Sequence, residues 1–164
     1  MVLKAILDRR SIRNYKSDEI PREYVIELIK AAQFAPSAKH NRSLQFIIIE
    51  NKEMKDMLDD ILGQRFLKQA PLLIIPVVDT QKSLRPIQDL SVASENIFVQ
   101  AAALGLGTVW KNVREEKMDT IKQLLSIPEN FMLINIIPVG FPQKERRAHN
   151  DNGFSPRKIH FEKW

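Results

Sequence analysis

Arg9, Arg10, Ser11 and Arg13 place three guanidiniums and a hydroxyl within five consecutive residues. A guanidinium offers paired N–H donors that match phosphate oxygens, so this cluster has the chemistry of a phosphate grip as well as that of a solvated surface patch. On a helix Arg9 and Arg10 point apart, whereas in an extended segment Ser11 and Arg13 share a face. A second segment, Ala35-Pro36-Ser37-Ala38, combines proline with small residues. Such a segment lets a backbone approach a flat ligand closely, and Ser37 adds a donor and an acceptor, although in isolation it is an ordinary helix stop. Gly105-Leu106-Gly107-Thr108 is either a helix C-cap or a turn beneath a ligand. It has neither the lysine nor the spacing of a P-loop, and it is not GxGxxG.

Several chemistries are excluded or disfavoured. The chain has no cysteine, which removes disulfides, thiolate metal sites, iron–sulfur clusters and cysteine nucleophiles. His40, His149 and His160 lie far apart and show no ligand spacing, so no metal is expected. There is no GxSxG elbow. Asp59-Asp60 is most simply an exposed helix face. The net charge of +5 invites a nucleic-acid reading, but 20 acidic residues are interspersed and no long basic block occurs. The aromatic residues are not interleaved with Lys and Arg as stacking platforms. No apolar run reaches the ~18–20 residues that span a bilayer, and the N-terminus lacks a signal-peptide core. The expectation is a cytoplasmic protein with neither a nucleic-acid nor a membrane partner.

The elements that must position these residues follow from periodicity. Val2, Leu3, Ile6 and Leu7 give a short amphipathic helix over 2–9. A helix is expected from Pro21 to about Phe34, capped by Ser17 or Asp18, with Val25, Leu28, Ile29 and Ala32 as its stripe. Pro36 ends it, and 36–43 reads as a loop. Strands are expected at 45–50, 72–78, 108–110 and 131–139, with Pro76 arguing for an edge or a bulge in the second. Helices are expected at 52–62, stopped by Gly63, and at 115–125. The longest helix, about 86–104, carries Ile87, Leu90, Ser94, Ile97, Ala101 and Leu104 at 3-4-3-4 spacing. From Ile97 onward it has almost no polar face, which implies burial on all sides, by the chain or by a second subunit. Without strict βαβα alternation, the pattern favours an α+β layered domain over a doubly wound sheet. A chain of 164 residues forms one domain, 1–164. The tail after 143 is polar but ends in Ile159, Phe161 and Trp164, which need a surface to pack on.

RRSIRNY, a Pro-started helix, APSA, a buried strand, a long helix with Ser94-Glu95-Asn96, ALGLGTVW, IPEN and VGFP occur in an order that resembles the nitroreductase family over essentially the whole chain. The resemblance implies that family's fold: a mixed or antiparallel central sheet flanked by helices, a long buried central helix and a C-terminal tail exchanged in a homodimer. It also implies FMN at the dimer interface, reduction by NADH or NADPH, and a small-molecule electron acceptor served by a ping-pong route. On the matching positions, Arg9, Arg10, Ser11 and Arg13 would hold the FMN phosphate and ribityl end. Pro36 and Ser37, with His40 or Asn41, would line the ring from the other subunit. Trp110, Lys111 and Asn112 would lie at the N5 edge, and Arg146 or Arg147 would complete the phosphate site. No catalytic acid or base is implied. The sequence departs from the family pattern at His40, Arg42 and Ser43-Leu44, and at Asn112-Val113. The same resemblance is compatible with reductive dehalogenation, enone reduction or oxygen-dependent flavin breakdown, and with a flavin-binding protein without turnover; a small basic nucleic-acid-binding module is the rival from another class, which accounts for the charge but not for the APSA and ALGLGTVW segments.

Overall fold

The computed structural model describes residues 1–144 and 147–164. Its helices are α1 (Lys4–Asp8), α2 (Arg22–Gln33), α3 (Lys52–Leu62), α4 (Phe66–Gln69), α5 (Pro86–Ala103) and α6 (Glu115–Leu124). Its strands are β1 (Leu44–Ile49), β2 (Leu72–Asp79), β3 (Gly107–Thr108), β4 (Lys111–Asn112), β5 (Phe131–Met132) and β6 (Asn135–Gly140). The sheet order is β1-β2-β6-β3, with β4 also on β6 and β5 on β2; the strands pair antiparallel throughout. This is the α+β architecture expected.

Strand alternation divides the core into two layers. Leu73, Ile75 and Val77 of β2 meet Leu58 of α3, Leu67 of α4 and Ile121 of α6. Leu72 and Ile74 turn the other way, with Ile137 and Val139 of β6, onto Val25, Leu28 and Ala32 of α2 and Ala93, Ile97 and Ala101 of α5. The helix boundaries have local causes. In α3 the Asn51 side chain accepts from the Met54 N–H at 2.8 Å, and Gly63 closes the helix at φ 64°. Neither Ser17 nor Asp18 caps α2: Pro21 itself occupies the cap position, with no side-chain bond.

Other expectations need correction. Pro76 is not on an edge, since β2 pairs with β1 on one side and with β6 and β5 on the other. The bulge alternative holds. Ile74 pairs with Ile137 but Val78 with Met132, so three residues of β2 face four of the β5–β6 segment. That extra residue is also why the single strand expected over 131–139 is broken at Leu133-Ile134. Ile87, at the start of the α5 stripe, is exposed, and so are Val2, Leu3 and Ile6 around α1. On α5, Ile97, Phe98 and Ala101 are buried but Val99, Ala102 and Ala103 are not, so this chain alone covers the apolar half of the helix only in part. Asp59 is not on an exposed face: it is 5% exposed, with Oδ1 unpartnered and Lys68 at 3.5 Å from Oδ2. Ahead of Ile159 the C-terminal residues form two 3-10 turns, Asp151–Gly153 and Pro156–Lys158.

Candidate functional site

The arginine segment leaves α1 at Arg9 and runs extended along the rim of β3. The Ile12 N–H donates to the Thr108 carbonyl at 2.8 Å, and Ser11 bridges Thr108 in parallel. Ile12 and Tyr15 turn inward while Ser11 and Arg13 face solvent, the shared face expected of an extended segment. Two glycines make the seat. A Cβ on Gly107 would lie 2.7 Å from Ile12 Cβ, and one on Gly140 would lie 2.9 Å from Tyr15 Cδ1. The buried Tyr15 hydroxyl donates back to the Ile12 carbonyl at 2.6 Å, pinning the intervening turn. Burial pushes the Tyr15 phenol well above its ordinary value of 10.0, while the Arg13 charge acts the other way.

Gly105 and Gly107 have different duties. Gly105, at φ 73°, is the left-handed residue of a Schellman cap: Leu106 N–H donates to the Ala101 carbonyl at 2.8 Å and Gly105 N–H to that of Ala102 at 3.2 Å. Both alternatives raised by the sequence are therefore relevant, because this cap also borders a cavity of about 330 Å³. Lys4, Asp8, Arg9, Arg10 and Thr108 supply its polar wall, and Phe98, Ala102 and Leu106 lie on its apolar one. Arg9 Nε lies 3.7 Å from Glu95 Oε1, and Arg10 Nη1 donates to the Arg147 carbonyl at 2.6 Å. The Arg147 backbone thus reaches Arg10; Arg146 lies outside the described residues. Ser11 and Arg13 are not among the described walls of this cavity.

Trp110 stands behind the apolar wall, edge-on to Phe98 with ring centroids 6.2 Å apart. Lys111 and Asn112 form β4 on Ile136 and Asn135 of β6. Burial, and then the nearby Arg114 charge, lower the Lys111 pKa from its ordinary value. Asn135 is fully buried and donates to Ser94 Oγ at 3.0 Å, fixing β6 to α5 beneath this segment.

Ser37, His40 and Asn41 line a different cavity of about 470 Å³, with Gln33, Phe34 and Arg42; Pro36 is exposed beside it. The two cavities share no lining residue. The structure therefore brings Arg9 and Arg10 together, and separately Ser37, His40 and Asn41, but does not join the two groups within one chain. Sequence reasoning missed Phe98 as a wall and Glu95 as the partner of Arg9. A signal was present, since Glu95 and Phe98 share a helix face at i, i+3.

Comparison with known proteins gives the family and the fold. The model of the nitroreductase family matches residues 6–65 and 60–141. A protein of Archaeoglobus fulgidus named "Putative NADH dehydrogenase/NAD(P)H nitroreductase" is 38% identical over 99% of this chain and 98% of its own length. The solved structure of an FMN-dependent nitroreductase from Clostridium difficile superposes with a TM-score of 0.92 at 35% identity, covering 98% of both chains. The chain belongs to the nitroreductase family.

Proposed function

We propose that this protein is an FMN-dependent oxidoreductase that uses NADH or NADPH to reduce nitroaromatic, quinone or related small electrophilic acceptors by a ping-pong route. The observation that carries the reading is the cavity that sets Arg9 and Arg10 against the apolar wall of Phe98, Ala102 and Leu106. Two guanidiniums beside apolar surface fit a ligand with a phosphate at one end and a flat ring at the other. The close seat of Ile12 on Gly107 holds those guanidiniums in place. The similar Clostridium difficile protein is named as FMN-dependent, which supports the same cofactor here.

FMN, when bound, supplies the hydride and electron chemistry. The chain binds and orients. Arg9 and Arg10 hold the phosphate, with Ser11 and Arg13 on the outward side of the same segment. The Trp110-Lys111-Asn112 segment borders the ring edge, and the half-buried Lys111 charge there favours the more anionic reduced state. Pro36, Ser37, His40 and Asn41 close the ring from a second subunit.

That last assignment requires a homodimer, and three features support one. The two cavities are separate on one chain. Val99, Ala102 and Ala103 leave α5 partly uncovered. Phe161 and Trp164 are 85% and 101% exposed at the end of the tail. Among the described residues no helix is long and apolar enough to cross a membrane.

The test is the visible spectrum of the purified, desalted chain, with the heat-released flavin identified against FMN, FAD and riboflavin. It is followed by NADH and NADPH oxidation with quinone, nitroaromatic and halogenated phenol acceptors. About one FMN per subunit and acceptor-dependent turnover are expected. A colourless chain that does not take up added FMN would overturn the reading.

A further inference from the structure

We infer that Asp89, in the first turn of α5, is a positioning residue for the ring-facing loop 36–43 and acts through Asn41. The inference rests on the reading that this loop faces the flavin. Asp89 is 3% exposed and, among the described residues, no Lys or Arg reaches it within ion-pair distance. A buried carboxylate without a cation is costly unless donors satisfy it. Here both donors converge on Oδ2: Asn41 Nδ2 at 3.1 Å and Ser83 Oγ at 2.7 Å. Asn41 Oδ1 in turn accepts from the Ser43 N–H at 3.1 Å and the Ser43 hydroxyl at 2.7 Å. The Ser43 carbonyl accepts from the Asp79 N–H at 3.0 Å, at the end of β2. One buried oxygen therefore ties the loop to α5, while the next residue but one ties it to the sheet.

What this tether restrains is a strained backbone. Lys39, His40 and Arg42 stand at φ 57°, 50° and 49°, so three of four consecutive residues with a Cβ occupy the left-handed region. That region is disfavoured for each of them. Such a run persists only where surrounding contacts over-determine it. Asn41 is the exception within the run, with φ −71°, and it carries the tether. Its carbonyl is used twice and its amide once, all directed inward. The Asn41 oxygen is thereby committed to Ser43, and one amide N–H is left over for a ligand. Asn41 fixes the loop so that Ser37 and His40, which line the cavity beside it, meet the ligand.

The experiment compares wild type, D89A, D89N, N41A and S83A, each as the full chain, by limited trypsin digestion with and without FMN and by FMN titration. Lys39 and Arg42 are exposed and are themselves trypsin sites. D89A and N41A are expected to speed cleavage after Lys39 and Arg42 by about tenfold and to weaken FMN binding by about tenfold, the scale of one charged hydrogen bond. A D89A/N41A double variant should be no worse than either single one. D89N keeps an oxygen that can accept both donors and should restore both readouts towards wild type. S83A removes the bond to Asp89 and the one accepted from the Arg85 N–H, neither of which reaches the loop; it should lower Tm without selective cleavage at Lys39 and Arg42. If D89A is cut at all its sites only in proportion to its Tm loss, Asp89 is a fold residue and the inference is overturned. If loop cleavage rises while FMN affinity is unchanged, the placement of this loop on the flavin is overturned, and with it the inference. Wild type that binds no FMN would instead refute the proposed function, whatever the digestion pattern.

Discussion

Ile12 lies so close over Gly107 that a Cβ on the glycine would approach its Cβ and Cγ1 to 2.7 Å. The position of the arginine segment is set by this approach, because Ile12 is its buried anchor on β3. Gly107→Ala is therefore expected to lower stability by about 1–3 kcal/mol, the usual cost of overpacking. It should also weaken FMN binding, by moving Arg9 and Arg10. Gly153→Ala, which meets nothing within 4 Å, is the control and should lie within about 0.5 kcal/mol of wild type. Thermal melts and flavin titration of the two variants measure the difference.

The arginines should not contribute equally. Arg9 and Arg10 wall the cavity and Arg13 does not. Arg9→Ala and Arg10→Ala should each raise the FMN Kd by roughly 10–100-fold, the range for losing a charge-assisted bond. Arg13→Ala should have a smaller effect. Turnover of FMN-saturated enzyme should change little in all three. The Arg9–Glu95 pair is partly exposed, so breaking it should alter stability by less than about 1 kcal/mol. Titrations at low and moderate salt, with kcat measured at saturating FMN, check each point.

Tyr15 gives a dependence on alkaline pH. Its pKa is raised in the fold by burial, so the native state holds this proton at pH values where the unfolded chain has released it. Above the ordinary value of 10.0 the unfolded state binds fewer protons than the native state, and stability must fall as pH rises. Tyr15→Phe should lose about 0.5–1.5 kcal/mol near neutrality, for the bond to the Ile12 carbonyl. It should also show a shallower decline above pH ~10. Denaturant unfolding of both proteins at several alkaline pH values reads both effects.

The tail tests the assembly. His160 and Trp164 stack on each other with ring centroids 4.4 Å apart, and Phe161 and Trp164 stand in solvent on the single chain. If a partner subunit covers them, the double substitution Phe161→Ala and Trp164→Ala should raise the dimer dissociation constant at least tenfold, each buried aromatic contributing on the order of 1.5–3 kcal/mol. The far-ultraviolet circular dichroism of the chain should be unchanged. Sedimentation over a range of concentrations measures the constant, and an unaltered value would mean that the tail lies outside the interface.

Much of the fold was legible in the sequence because periodicity reports which residues share a face. The α5 stripe from Leu90 to Ala101, the α3 stop at Gly63 and the β1 and β2 runs all follow from that rule. Periodicity does not say what covers a face, which is why Ile87, Val2, Leu3 and Ile6 were expected to be covered and are exposed. Pro76 was misjudged as a possible edge residue because register is a property of two strands and one sequence segment carries only half of it. The candidate site was legible as residue types but not as directions. Arg13 and Arg10 have the same chemistry, yet an extended backbone sends one outward and the other onto a cavity. Asn41 has the chemistry of a ligand, and only the position of Asp89, 48 residues later, turns it inward.

The two prolines within the core strands act as a register lock. Pro76 falls between Ile74, the last residue of β2 paired with β6, and Val78, the first paired with β5. Pro138 falls between Ile136, paired with β4, and Val139, paired with β3. Each occupies an interruption on one side of its strand, where a missing N–H costs no ladder bond. Pro138 stands opposite Leu73 of β2, and a slip of β6 by one residue would aim its nitrogen at that ladder and turn Ile136 and Ile137 to the wrong layers. Mispaired sheets are thereby penalised twice, in hydrogen bonding and in burial. A nascent chain whose strands meet out of step has reason to separate and try again rather than to persist.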